Sequence, residues 1–222
     1  MRGLGEHPAA QRLADLRRSY ESGGLAETDL AQTWHAQLDR WLGEAMDAEL
    51  IEPNMMVLAT ADASGYPSAR CVLLKGMDER GLVFYTNYSS RKGLELAVNP
   101  RAALVIPWVP LQRQVRVQGE VTRVSAAESD AYFDSRPRGS QLGSAASPQS
   151  EQVPTRAALE DLVDALGERY PEDTDIPRPE RWGGFRVAPQ VVEFWQGRPN
   201  RVHDRLAYQR GDDDWSVVRL AP

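Results

Sequence analysis

The sequence has little of what marks several common functions. Its 222 residues contain one cysteine, Cys71, so no internal disulfide framework can form. The three histidines, His7, His35 and His203, are scattered, and with a single cysteine they give no Cys/His spacing suited to a metal ion. No metal is expected. No apolar run approaches the roughly 18 residues of a membrane span; the best candidate, "AALVIPWVPL", is interrupted by Pro107 and Pro110. The opening "MRGLGEHPAAQRLADLRR" has no apolar signal-peptide core. Positive charge is not in excess either. A formal net charge of −6 and a pI near 5.2 oppose the basic footprint of a general nucleic-acid binder. The expectation is a soluble cytoplasmic protein without membrane or nucleic-acid partners, in which any cationic cluster is a local site for a small anion.

What is present is a globular composition, 41% hydrophobic and 26% charged, in a single expected domain spanning 1–222 with a helical N-terminal extension over about 1–50. "AAQRLADLRRSY" (9–20) reads as helix and is followed by Gly23-Gly24. Trp34, Leu38, Trp41, Leu42, Ala45 and Met46 fall at helical spacing on one face. After Pro53 the texture becomes β-prone: "MMVLAT", "SARCVLL", "LVFYT", "AALVIPW" and the alternating "QVRVQGEVTRV" are short runs divided by turn-like segments. "SSRKGLELAVN" predicts a short helix with a serine N-cap, and Ser125 with Glu128 forms a capping-box pattern for another. "SRPRGSQLGSAASPQS" (135–150) is Ser-, Gly- and Pro-rich and reads as loop, "TRAALEDLVDALGERY" as an amphipathic helix. "WGGFRVAPQVVEFWQG", "RVHDRLAYQR" and "DWSVVRL" read as strands, the last two joined at "GDDD". The fold class is therefore β-rich α+β, an antiparallel barrel with peripheral helices.

Three places hold candidate chemistry. Arg91 and Lys92 stand in the first turn of a predicted helix, where the macrodipole favours anions. They read either as solvated side chains or, with Arg70 from a neighbouring strand, as a phosphate site. Tyr132, Arg136 and Ser140, around "YFDSRPRGSQ", offer a phenol, a guanidinium and a hydroxyl, and Lys75 ends an apolar strand. In "NRVHDR", strand alternation puts Arg201, His203 and Arg205 on one face and Asp204 on the other, so something anionic or electron-rich must lie opposite. Trp182, Phe185, Phe194, Trp195 and Cys71 read most simply as core.

Taken in order, "RCVLLKGMDERGLVFYTNYSSRKGLEL", "PWVPLQRQVRVQGE", "YFDSRPRGSQLG" and "WGGFRV…EFWQG…RVHDR" resemble the pyridoxamine (pyridoxine) 5′-phosphate oxidase family along nearly the whole chain. The resemblance implies an FMN-binding split barrel acting as a homodimer, with the flavin at the subunit interface. It implies FMN contacts from Arg70, Val72, Leu74, Tyr85, Thr86, Arg91, Lys92, Gln114, Gln149, Ser150, Trp195 and Arg205. Substrate contacts are implied for Lys75, Tyr132, Arg136 and Ser140 at the phosphate and for Arg201 and His203 at the pyridine ring, these two also serving catalysis. Arg17 and Tyr20 match residues that close over the substrate.

The implied reaction is oxidation of pyridoxamine and pyridoxine 5′-phosphates to pyridoxal 5′-phosphate, with molecular oxygen as acceptor and hydrogen peroxide as by-product. Two departures stand out: Ala26-Glu27-Thr28 replaces a basic run that some relatives carry, and small residues around Ala145 replace an aromatic. Another split-barrel flavoprotein, reductive or deazaflavin-dependent, and a non-catalytic pyridoxal phosphate carrier or flavin sensor are the competing expectations.

Overall fold

The computed structural model describes Tyr20 and residues 23–222. The helix expected over 9–20 lies outside the described residues, apart from Tyr20. Nine strands form one curled antiparallel sheet: β1 Met55–Ala61, β2 Pro67–Leu73, β3 Gly76–Asp78, β4 Gly81–Asn87, β5 Arg101–Trp108, β6 Arg113–Arg123, β7 Trp182–Gln196, β8 Asp204–Arg210 and β9 Trp215–Arg219. Their order is β2-β1-β5-β6-β7-β4-β3, with β8 paired to β7 and β9 to β8. Five helices complete the described chain: α1 Trp34–Asp47, α2 Arg91–Val98, α3 Ala126–Asp134, α4 Arg138–Ala146 and α5 Arg156–Arg169.

Strand β7 organises the sheet. Residues 182–187 pair with β4 and residues 191–196 with β8, while β6 runs along the other edge of both halves. The change of partner coincides with a bulge: Gln118 faces Val191 but Gly119 faces Pro189, which leaves Gln190 as the extra residue. Pro189 cannot donate to a ladder, and a Cβ on Gly119 would stand 2.1 Å from the Ala188 carbonyl oxygen. Proline and glycine are thus the residue types that this crossing accommodates.

The core lies inside the curl. Alternation along β1 and β5 turns Met56, Leu58, Leu104 and Ile106 inward, where they meet α1. Thr33 caps α1 through its hydroxyl, which accepts from the Ala36 N–H. Trp34, Leu38, Trp41 and Ala45 are buried as expected, but Met46 is 55% exposed. It sits about 100° round the helix from Ala45, beyond the apolar stripe. Phe194 is fully buried between Trp41 (5.2 Å between ring centres) and Tyr208 (5.7 Å), tying β7 to α1 and β8. A smaller cluster of Phe133, Ala145, Ile176 and Trp182 sits under α3 and α4.

Two expectations about the backbone are corrected. The segment 135–150, read as loop, contains α4, whose small residues let Ala145 pack against the Phe133 and Trp182 cluster. The segment 201–203, read as strand, is not one. Pro199–Arg201 forms a 3₁₀ turn with Asn200 and Arg201 at φ 57° and 62°, and β8 starts only at Asp204. Pro199 supplies a fixed φ at the first turn position and asparagine tolerates the left-handed region, which accounts for the turn.

Phe194→Ala should lower the unfolding free energy by about 3–5 kcal/mol, the usual cost of truncating a fully buried aromatic. Chemical denaturation at fixed protein concentration checks this.

Candidate functional site

Helix α2 begins with Ser90, whose hydroxyl accepts from the Gly93 N–H. A Cβ at position 93 would lie 2.2 Å from the Tyr88 carbonyl oxygen, so glycine is what lets the helix start press against the end of β4. That close approach buries Lys92. Its ammonium donates to Thr86 Oγ1 (3.1 Å), Ser90 Oγ (3.3 Å) and Gln149 Oε1 (3.1 Å), all of them neutral. Burial, and secondly the nearby Arg70 charge, lower the Lys92 pKa to about 8.

One turn further on, Glu95 is 5% exposed and gathers the other two cations. Arg91 donates through Nε to its Oε1 (2.9 Å), and Arg70 donates through Nη2 to its Oε2 (3.3 Å). Thr60 and Ser68, paired across β1 and β2, also donate to this carboxylate. Burial alone would raise its pKa, but the hydrogen bonds from Thr60, Ser68, Arg91 and Arg70 prevail and hold it at about 2.

Lys92 opens onto a cavity of about 430 Å³ between β2, β4, α3 and α4. Its walls include Lys75, Lys92 and Arg136 but no aspartate or glutamate. Val72, Tyr85, Thr86, Tyr132, Ser140 and Gln149, all expected site residues, line it too. Tyr85, Tyr132 and Trp182 stack as one aromatic wall, with Tyr85 and Tyr132 3.9 Å apart. Arg136 lies over the Trp182 ring at 4.9 Å and donates to Ser144 Oγ (2.7 Å). Burial draws its pKa below the usual guanidinium range, so it too is a cation held mainly by neutral partners.

The two anion-holding clusters expected from the sequence therefore share one cavity. Lys92 faces it, while Arg70 and Arg91 stand behind at Glu95. Ser150 adjoins Gln149 in the left-handed conformation, φ 75°. Leu74 differs from expectation, because its side chain is buried in the main core. Cys71 differs as well. It is exposed, since the alternation of β2 turns it to the open face of an edge strand.

The remaining expected residues form a second group at the far end of β7. Gln114, Trp195 and Arg205 are direct cross-strand neighbours on β6, β7 and β8 and so share one face. His203 lies 4.7 Å from the Trp195 ring, and Tyr20 packs edge-on against both. His203 Nδ1 accepts the Arg198 N–H (3.1 Å), which leaves Nε2 as the proton-bearing nitrogen of the neutral ring.

Because 199–201 is a turn, alternation does not put Arg201 on the Arg205 face. Arg201 is exposed at the turn's end. The charge of Arg205 is met within its own chain by Glu193, through Nε (2.8 Å) and Nη2 (3.0 Å). About 40 Å of extended strand separates Trp182 from Trp195, so the two groups sit at opposite ends of β7. Arg17 lies outside the described residues.

Sequence reasoning missed Glu95, Glu193, Ser144 and the wall role of Trp182. Glu95 was legible as the i+4 partner of Arg91; Glu193 and Ser144 meet their arginines only through the tertiary fold. At the altered N-terminal segment, Glu27 pairs with Arg219 (2.7 Å), which also pairs with Asp204. A second hollow of about 510 Å³, around Ala59, Ala103 and Val191, contains none of the expected residues.

The curled antiparallel sheet with a cationic cavity defines a split-barrel protein, and its relatives narrow the class. Residues 42–196 match the family described as pyridoxamine 5′-phosphate oxidase, and residues 182–222 match the pyridoxine 5′-phosphate oxidase C-terminal dimerisation region. The chain belongs to the pyridoxamine 5′-phosphate oxidase family. It is 56% identical over 212 residues to a pyridoxine/pyridoxamine 5′-phosphate oxidase of Cupriavidus necator, covering 95% of this chain and 99% of that one. Over 211 residues it is 56% identical to the protein of that name from Thermosynechococcus vestitus, with the same coverages. Among solved structures it is similar to PhzG from Burkholderia lata, crystallised with tetrahydrophenazine-1-carboxylic acid, at 31% identity and a TM-score of 0.85, over 92% of this chain and all of that one. An FMN-binding protein of Nostoc punctiforme shares the fold at 20% identity and a TM-score of 0.68, over 87% of this chain and 98% of that one.

Gly93→Ala should push α2 off the Tyr88 carbonyl, displacing the start that carries Arg91 and Lys92. The expected result is a clearly lower thermal midpoint, measured by circular dichroism. Gly43→Ala, in α1 with nothing near its Cβ, should not lower it and serves as control.

Proposed function

We propose that this protein is an FMN-dependent pyridoxamine/pyridoxine 5′-phosphate oxidase, a homodimer that produces pyridoxal 5′-phosphate with oxygen as acceptor and hydrogen peroxide as by-product. The observation that carries the reading is the cavity wall with three cations and no carboxylate, in a chain more than half identical to proteins of that name. The donor set fits two phosphorylated ligands. Lys92, buried among neutral acceptors, with Arg70 and Arg91 at the helix start, suits the FMN phosphate. Lys75, Tyr132, Arg136 and Ser140 suit the substrate phosphate.

FMN, when bound, would supply the two-electron redox chemistry for oxidation at the substrate's C4′ carbon with oxygen as acceptor. The protein's part is orientation and charge. Gln114, Trp195 and Arg205 form a row for the flavin ring, with Val72, Tyr85, Thr86, Gln149 and Ser150 completing its surroundings. Arg201 and His203 attend the pyridine ring. With Nδ1 occupied by the Arg198 N–H, neutral His203 donates a hydrogen bond from Nε2 and orients the substrate's C4′ group. Arg17 and Tyr20 would cover the substrate; Tyr20 already packs on His203.

The distance between the two groups along β7 supports a site shared by two subunits, each supplying the cavity to one ligand set and the Gln114, Trp195, Arg205 row to the other. The match of 182–222 to a dimerisation region agrees with this. We read 1–222 as one FMN-binding unit with 1–50 as its N-terminal extension. Among the described residues no helix is long and apolar enough to cross a membrane, and the single cysteine suits a cytoplasmic location.

The test is aldehyde and peroxide formation from pyridoxamine and pyridoxine 5′-phosphates with added FMN. Turnover of both is expected. FMN binding without turnover of either would favour a non-catalytic carrier or sensor.

The Lys92 pKa sets a pH dependence. An arriving phosphate dianion raises it again, so binding takes up a proton once the free protein has begun to lose it. FMN affinity should therefore be flat from pH 7 to near 8 and then weaken, approaching about tenfold per pH unit. Riboflavin should show no such slope, and Lys92→Met should abolish it while lowering FMN affinity. Fluorescence titration across this range, with both flavins, checks the sign.

A further inference from the structure

Glu95 is an acid directly behind a site read as holding an anion. Neutralising one's own cations weakens electrostatic attraction for a phosphate, so its presence there needs a physical reason. The carboxylate is 5% exposed, and it accepts from two hydroxyls and two guanidinium groups drawn from β1, β2 and α2. Both hydroxyls also accept from Arg70, whose Nη1 reaches Thr60 and whose Nη2 reaches Ser68. Arg70 is thereby locked on four sides, its Nη1 bonding the Leu58 carbonyl as well (3.3 Å).

Arg91 differs. Its side chain is 59% exposed, and it is tethered to Glu95 through Nε alone, so both Nη groups are left for a ligand. Two long side chains that repel each other, and repel Lys92, are held together by one buried charge.

We propose that Glu95 is a positioning residue of the phosphate site, holding Arg91 by its Nε edge and Arg70 by Nη2 so that the guanidinium groups stay beside the Lys92 ammonium. This rests on the reading of that site as the holder of the FMN phosphate. A rival account is purely electrostatic: Glu95 competes with the phosphate for the same cations, and removing its charge strengthens binding. Positioning and competition predict opposite signs, and a merely structural role predicts no distinction between flavins.

The experiment uses the full-length apoprotein, wild type, Glu95→Gln and Glu95→Asp, titrated with FMN and with riboflavin by flavin fluorescence, each variant also melted without ligand. Glutamine keeps the shape and two polar ends but not the charge. Glu95→Gln should weaken FMN binding roughly ten- to a hundredfold, the range of a lost charge-assisted hydrogen bond, while riboflavin changes little. Glu95→Asp keeps the charge and should recover part of the loss. Introducing Arg91→Gln should make the further loss from Glu95→Gln smaller, because the residue acts in part through that arginine.

Tighter FMN binding by Glu95→Gln would overturn the proposal in favour of competition. Equal losses for FMN and riboflavin would overturn it in favour of a structural role. Should Glu95→Gln not fold, Glu95→Asp carries the same comparison, and wild-type affinity for both flavins in that variant overturns the proposal. A wild-type protein that binds riboflavin as tightly as FMN would instead remove the phosphate site itself, which keeps the two failures apart.

Discussion

Everything in this fold hangs on β7 being longer than any of its partners. One half belongs to the β4 side of the sheet and the other to the β8 side, and the Gly119/Pro189 bulge is where the ladder changes hands. A single ladder from end to end would give a flat sheet with one long exposed edge. The split instead curls the sheet over Trp41 and Phe194, and it places a cavity beside Trp182 and the row of Gln114, Trp195 and Arg205 at the other end. Chain continuity keeps these two apart within one subunit. The division of the site into two groups is thus a consequence of strand pairing, fixed before any side-chain chemistry enters.

The electrostatics follow a common plan at both ends. Arginines are held by buried carboxylates: Arg70 and Arg91 by Glu95, Arg116 and Arg205 by Glu193. Such pairs are weak sources of stability but strong sources of geometry, because removing the arginines strands a buried carboxylate. The cavity cations follow a different rule. Lys92 and Arg136 are kept by hydroxyls, an amide and a ring face, which leave their charge unspent. The cavity is therefore the more attractive place for an anion, while the carboxylate-bound arginines define its surroundings.

The sequence disclosed the strands well, because alternation of apolar residues is a local signal that burial enforces. It disclosed helix starts equally well: Ser90, Ser125 and Thr155 each accept from the third residue of the helix they precede. Alternation failed at 199–201, where one proline and one asparagine replaced strand geometry by a turn, so that Arg201 left the row in which Arg205 stands. Cys71 and Met46 failed for a related reason. Their apolar character says that burial is favourable, but the edge position of β2 and the angular position on α1 decide whether it is available. Partners such as Glu193 and Arg205 come together across a ladder register that no local pattern encodes.

The segment misread as loop shows how composition can mislead and still inform. Gly139, Ser140, Gly143 and Ser144 are poor helix formers singly, and their clustering is ordinarily a loop signal. Here the helix is held from outside: Gln141 donates to the Phe133 carbonyl (3.0 Å), Arg138 donates to the Thr174 carbonyl (2.8 Å), and Ala145 is buried with Trp182. Tertiary contacts supply what propensity does not. The small residues then serve the cavity directly, since Ser140 and Ser144, four apart on one helix face, both line it. A helix of leucine, glutamate, lysine or arginine would have filled that space with long side chains. The residues that made the segment look unstructured are the ones that leave the cavity open beside Arg136.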